Sequence, residues 1–174
     1  MRLLLTRPSK KTLLLITAIS GAFSLALLLR LAAIDRELKP YTIVDYELAW
    51  SAERANPMFS AWGDAGRDAA RSSLRYDVPF LLAYPFFFSA LTLLAARVAP
   101  GKYARLGTWL GLAPFVAALL DALENAALWL ALDAFQQPPE HLLQLAAIAA
   151  GVKFLLLGFS GLYALAVWFL RVLG

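Results

Sequence analysis

The chain contains no cysteine and a single histidine, His141. The first absence excludes disulfides, thiolate metal sites and cysteine nucleophiles. The second excludes a multi-histidine metal site within one chain, and no residue pattern calls for a metal or any other cofactor. Charge is scarce as well. Asp, Glu, Lys and Arg make up 16% of the 174 residues and hydrophobic residues 61%, where soluble domains run at about 25% and about 45–50%. The formal net charge of +4 comes without a basic groove carrying interleaved aromatics, which argues against a nucleic-acid partner. No glycosylation sequon is present, because Asn56 precedes Pro57. No inverted repeat is visible either.

What the chain does have is long apolar runs. A hydrocarbon core about 30 Å thick is crossed by a helix of about 20 apolar residues. Thr12 to Leu29 is eighteen residues without a charge, ended by Arg30 and Asp35. Val78 to Ala96 lies between Asp77 and Arg97. A third run from Leu106 to Leu132 is interrupted by Asp121 and Glu124, and a fourth from Leu142 to Leu170 by Lys153. The expected fold is an all-α membrane protein and a single domain over residues 1–174. It is a four-transmembrane-helix bundle with spans at about 12–34, 77–98, 106–133 and 142–171. The N-terminus imitates a signal peptide, with Arg2, Arg7, Lys10 and Lys11 ahead of the apolar run and Leu31-Ala32-Ala33 after it. The run is long for a signal and reads as an uncleaved first helix.

Lys and Arg near span ends mark the cytoplasmic side. The tail carries four, and Arg97, Lys102 and Arg105 surround Pro100-Gly101, whereas Gln136-Gln137-Pro138-Pro139 has none. Both termini are therefore expected in the cytoplasm, in a multi-pass protein whose first partner is the lipid bilayer of a bacterial inner membrane. Trp109, Trp129 and Trp168 fall near the expected interfaces, as aromatic belts do.

Residues 35–76 form the external segment, expected as two or three short helices over the outer mouth of the bundle. Ser51 reads as an N-cap, Asn56-Pro57 as an early disturbance of the helix that follows, Gly63 as a turn, and Asp64 as the cap of a new helix. That helix carries Arg67, Arg71 and Arg75, four apart on one face, directly into the second span. The segment is either a lid or docking surface, or an amphipathic connector with solvated charges.

Charge inside a bilayer costs about 2.5–3.5 kcal/mol per residue on insertion scales, so such groups face the bundle interior, pair, or line a pathway. Asp121, Glu124 and Asn125 stand at i, i+3 and i+4 and share a face. Lys153 lies at a depth of roughly 12–17 Å from the same side as Glu124 if the last two spans form an antiparallel hairpin. An ion pair from Lys153 to Glu124 or Asp121 is then reasonable, with Arg30, Arg71 or Arg75 as candidates to neutralise the second carboxylate. Asp77 and Tyr84, seven apart on the second span, extend the set. The candidate site is Asp77, Tyr84, Asp121, Glu124, Asn125 and Lys153, as a ligand-binding pocket or as a network that only fixes helix packing. Pro85 and Pro114 free the carbonyls of Leu81 and Leu110. Ala113, Ala117 and Ala118, and Ala147, Gly151, Gly158 and Gly161, read as close-packing faces. Phe86-Phe87-Phe88 reads as lipid-facing or core, and His141 as an external turn residue.

Several of these residues carry a resemblance: Glu47-Leu48-Ala49, Ala61-Trp62-Gly63, Ser73-Leu74 before Asp77, Tyr84, Asp121-x-x-Glu124-Asn125 and Lys153-Phe154. Over Ile43 to Phe154 the chain resembles an uncharacterised family of small bacterial four-helix integral membrane proteins. The resemblance implies the same topology and no activity. The architecture is more loosely similar to the four-helix sterol-isomerase and sigma-2-receptor superfamily, whose motif is not matched residue by residue, so the analogy carries no function.

Three functions fit. The favoured one is a binding or accessory protein, holding an amphipathic lipid-like ligand or docking with a membrane-protein partner or a second copy. An intramembrane lipid- or isoprenoid-modifying enzyme would use one protonated carboxyl of Asp121 and Glu124 as a general acid and leave the other ionised. Proton-coupled transport in an oligomer would use Asp121, Glu124 and Lys153 as a relay.

Overall fold

The computed structural model describes residues 2–173. Among them every regular element is helical: α1 (Arg2–Thr6), α2 (Lys10–Asp35), a 3₁₀ turn (Arg36–Leu38), α3 (Ile43–Glu47), α4 (Ala52–Ala96), α5 (Gly101–Leu110), α6 (Ala113–Asp133) and α7 (Glu140–Leu173). Four helical stretches of the described residues are long and apolar enough to cross a membrane: Lys10–Leu38, Ala52–Ala96, Gly101–Asp133 and Glu140–Arg171. Each contains one of the four expected apolar runs, and Ala52–Ala96 begins well before its run, which starts at Val78. The chain divides into two compact units, Met1–Ser24 with Leu82–Ala118 and Lys153–Gly174, and Leu25–Leu81 with Leu119–Val152.

The first unit is assembled by close approach of small residues. A Cβ on Gly107 would collide with the Tyr163 ring and come within 2.6 Å of the Ala96 methyl, and one on Gly21 would come within 2.8 Å of the Phe87 ring. Ala95, Ala96, Tyr163 and Ala164 form one small core, and Leu13, Ala90, Leu93 and Leu94 another. Side chains then tie helices to backbone. Tyr163 donates to the Tyr103 carbonyl at 2.9 Å, and Arg97 donates to the carbonyls of Pro8 and Leu4 at 2.5 and 3.3 Å.

Pro114 does more than kink the third span. The helix stops at Leu110 and restarts at Ala113, with the Gly111 N–H closing on the Gly107 carbonyl at 2.9 Å. The Leu110 carbonyl that Pro114 cannot serve lies 2.9 Å from the Ser160 hydroxyl, which reaches the Leu156 carbonyl at the same distance. The freed acceptor is thus satisfied within the fold. The expected packing glycines Gly151 and Gly158 play no such part, since an added Cβ would meet nothing within 4 Å at either, and Gly161 sees only Phe88 at 3.7 Å. Close approach is made at Gly107 and Gly21 instead.

The second unit has one large core, including Leu38, Tyr46, Phe59, Trp62, Leu74, Leu128, Leu132 and Leu143. Residues 35–76 supply most of its bulk, burying their apolar side chains while Glu53, Arg54, Asp64, Asp68 and Arg75 stay exposed. Tyr46, Phe59 and Trp62 meet edge-on or tilted with ring centroids 5.2–6.0 Å apart, a geometry that adds about 0.5–1.5 kcal/mol per pair beyond area burial. The two polar tips find backbone acceptors: Tyr46 donates to the Leu128 carbonyl at 2.9 Å and Trp62 to the Leu38 carbonyl at 2.7 Å. A capping box starts α3, with the Thr42 hydroxyl accepting from the Asp45 N–H at 3.1 Å and the Asp45 carboxylate from the Thr42 N–H at 2.7 Å.

The expected turn at Gly63 is a break inside α4, at φ 57° and ψ −161°, a conformation essentially confined to glycine. Helical bonding lapses there, and Arg67 crosses the break to donate to the Phe59 carbonyl at 2.9 Å. Asn56-Pro57 does not disturb the helix before Gly63 as the sequence suggests. Pro57 and the Glu53 whose carbonyl it leaves are both exposed, so water can take that acceptor.

Candidate functional site

The helix α6 turns one stripe inward, through Asp121, Glu124, Leu128, Ala131 and Leu132, all buried. Spacings of three and four residues are those of one helical face, so the carboxylates occupy positions that hydrocarbon fills further along the same helix. Asp121 is 3% and Glu124 0% exposed. Asn125, half-buried beside them, donates from Nδ2 to Asp77 Oδ2 on α4 at 2.5 Å. The second unit therefore brings together four of the six expected residues, Asp77, Asp121, Glu124 and Asn125, and joins two by a hydrogen bond to a carboxylate, among the stronger neutral-donor contacts. Tyr84 (1% exposed) and Lys153 (6%) are buried as well, Lys153 directly after Val152 where the second unit ends and with its ammonium 5.1 Å from the centre of the Phe154 ring.

The arginines nominated to balance the carboxylates are engaged elsewhere. Arg71 bonds to Asp68 at 3.0 Å and to Asp133 at 3.3 Å, Arg75 lies 5.3 Å from the Trp129 ring centre, and Arg30 lies 5.2 Å from that of Tyr76. With Arg67 4.1 Å from the Phe135 ring centre, the expected stripe Arg67, Arg71 and Arg75 is a ladder. Its rungs on the last turns of α6 and just beyond are Phe135, Asp133 and Trp129. The sequence shows that these arginines share a face, but not that aromatics and one acid would meet them.

Tyr46 is the residue that sequence reasoning missed. It closes over α6 one turn beyond Glu124, fully buried. Burial first, and then the negative charge of Asp133, push its phenol well above the ordinary 10.0, so it stays a donor. Its pattern, an aromatic between Asp45 and Glu47 in a five-residue helix, gives no signal of this role. Elsewhere in the unit, a cleft of about 370 Å³ lies among Tyr41, Asp45, Leu48, Arg54 and Met58, but Asp45 there is committed to the Thr42 cap.

No group of three or more metal-ligating side chains occurs among the described residues. No protein family, no curated protein and no solved structure matches the chain.

Proposed function

We propose that the chain is a multi-pass inner-membrane protein, both termini cytoplasmic, that binds an amphipathic lipid-like ligand at Asp77, Asp121, Glu124 and Asn125. The observation that carries this reading is the complete burial of two carboxyl groups on one face of α6, within a stretch apolar enough to cross a bilayer. Holding two ionisable groups there costs about 2.5–3.5 kcal/mol each on insertion scales, whereas interhelical polar contacts in membranes return only about 0.6 kcal/mol on average. Packing alone is a poor reason to keep both. A ligand head that donates hydrogen bonds or carries positive charge is the chemistry such carboxyls select.

The charge division supports the orientation. The unit holding both chain ends contains nine Lys/Arg and no Asp or Glu, while the other contains seven Lys/Arg and all twelve acids. What assigns the side is Lys and Arg at span ends, in the N-terminal tail and around Pro100-Gly101, against none in Gln136-Gln137-Pro138-Pro139.

The test is to purify the wild type, Asp121→Asn and Glu124→Gln in mild detergent and identify retained lipids by mass spectrometry. An amphipathic molecule held by the wild type and reduced at least tenfold in both folded variants is expected. An identical lipid complement in all three refutes the site, and a chemically altered lipid dependent on both carboxyls would convert the reading to an enzyme. The cysteine-free chain makes orientation equally testable. Lys102→Cys should resist a membrane-impermeant thiol reagent added from outside, and Gln136→Cys should react.

A further inference from the structure

The first unit carries a separate feature that the carboxylate site does not use. A groove of about 940 Å³ runs along α5 and α7, with apolar walls from Leu106, Leu110, Phe159, Leu162 and Leu170 and with Tyr103 among them. A smaller crevice of about 280 Å³ is lined by Lys10, Arg97, Arg171, Leu94 and Trp168. Val98 and Arg171 line both, so the apolar groove and the three-cation crevice share a wall. The sequence of this unit contains no Asp or Glu. Arg97 spends one nitrogen on the carbonyls of Pro8 and Leu4, but its buried Nε makes no hydrogen bond with the described residues. Lys10 and Arg171 are exposed and make no ion pair among the described residues.

We infer that this unit binds an anionic phospholipid, its phosphate against Lys10, Arg97 and Arg171 and an acyl chain in the groove beside Phe159 and Leu162. The occupant follows from charge complementarity joined to an apolar channel. Three cations that make no ion pair among the described residues suit an anion, and the adjoining groove suits an anion that carries hydrocarbon. A groove of this volume lies within the roughly 300–1,000 Å³ range of small-molecule sites. Basic clusters at a membrane surface attract anionic lipid at about 1 kcal/mol per cation, roughly fivefold each. Trp168 at the crevice suits the headgroup level, where amphipathic rings collect. The inference goes beyond the carboxylate site and uses none of its residues.

The experiment is native mass spectrometry of the full chain in mild detergent, titrated with phosphatidylglycerol or with phosphatidylcholine of matched chains. The wild type should retain phosphatidylglycerol at least tenfold better. Lys10→Gln with Arg171→Gln, both exposed positions, should remove most of that preference, about fivefold for each cation. Lys102→Gln with Arg105→Gln, exposed cations outside the crevice, should leave it intact. Ala166→Trp, which narrows the groove without changing charge, should weaken phosphatidylglycerol retention. Equal retention of the two lipids by the wild type overturns the inference, as does equal loss in the two double variants, which would make the effect one of general charge. Unchanged binding in Ala166→Trp, or competition by inorganic phosphate as strong as by the lipid, overturns the acyl-chain assignment. Asp121→Asn should leave phosphatidylglycerol retention unchanged. If it abolishes that retention, the lipid belongs to the carboxylate site and this one is refuted.

Discussion

The two units solve the same packing problem with different materials. The first has no acid, few large buried side chains, and contacts made where Gly107 and Gly21 let rings lie on backbone. The second has all twelve acids and an aromatic core drawn from outside the apolar runs, with Tyr46, Phe59 and Trp62 at its centre. Under the proposed membrane placement, the difference is the one two solvents would impose. Helices in lipid gain nothing by hiding hydrocarbon from hydrocarbon, and they associate through close packing and polar contacts. A segment exposed to water can bury aromatic surface and be held by it. That proposal accounts for the bulky buried side chains of residues 35–76 and for the largely unburied apolar stretch Lys10–Leu38.

The largest expected effect tests the aromatic core. Trp62→Ala removes a nearly fully buried ring and its bond to Leu38, and should destabilise by about 3–5 kcal/mol. Hydrogen exchange resolved by peptide should show residues 36–74 losing protection while 153–171 keep theirs. Equal loss in both would dissolve the distinction between the units.

Gly107→Val tests the opposite unit. Overpacking against Tyr163 and Ala96 should cost about 1–3 kcal/mol, with lost protection over α5 and α7. Gly158→Ala, in the same unit and with nothing within 4 Å of an added Cβ, should leave a detergent melting curve unchanged and serves as the matched control.

Tyr46→Phe is the next smaller test. Loss of the hydrogen bond to Leu128 should cost about 0.5–1.5 kcal/mol. The pH dependence has a definite sign. Burial raises the phenol pKa in the fold above the 10.0 of an unfolded chain, so Tyr46 contributes its full stability below pH 10. That contribution falls as pH rises beyond 10. A shallower alkaline loss in Tyr46→Phe than in the wild type is the expected reading, and parallel curves would reject it.

Ser160→Ala should have the smallest effect, about 1 kcal/mol, because the Leu110 carbonyl loses its side-chain donor. A twin effect from Pro114→Ala with Ser160→Ala, no worse than Ser160→Ala alone, would show that the restored backbone N–H replaces the hydroxyl.

Much of this molecule was legible locally. Hydropathy gives four long apolar helices, because a run of apolar residues is read without knowing what it touches. Helical spacing gives the inward face of α6 with Asp121 and Glu124, since burial follows the period. Gly63 gives the break in α4, since few other residues tolerate that backbone. The partners were not legible. Asn125 finds Asp77 48 residues away, Tyr46 finds Leu128 82 away, and Ser160 finds Leu110 50 away. The arginine stripe of α4 meets Trp129, Asp133 and Phe135. Composition and period fix which face of a helix turns inward, because both are properties of neighbouring residues. Which groups then meet depends on how distant segments pack, and only the tertiary structure decides that.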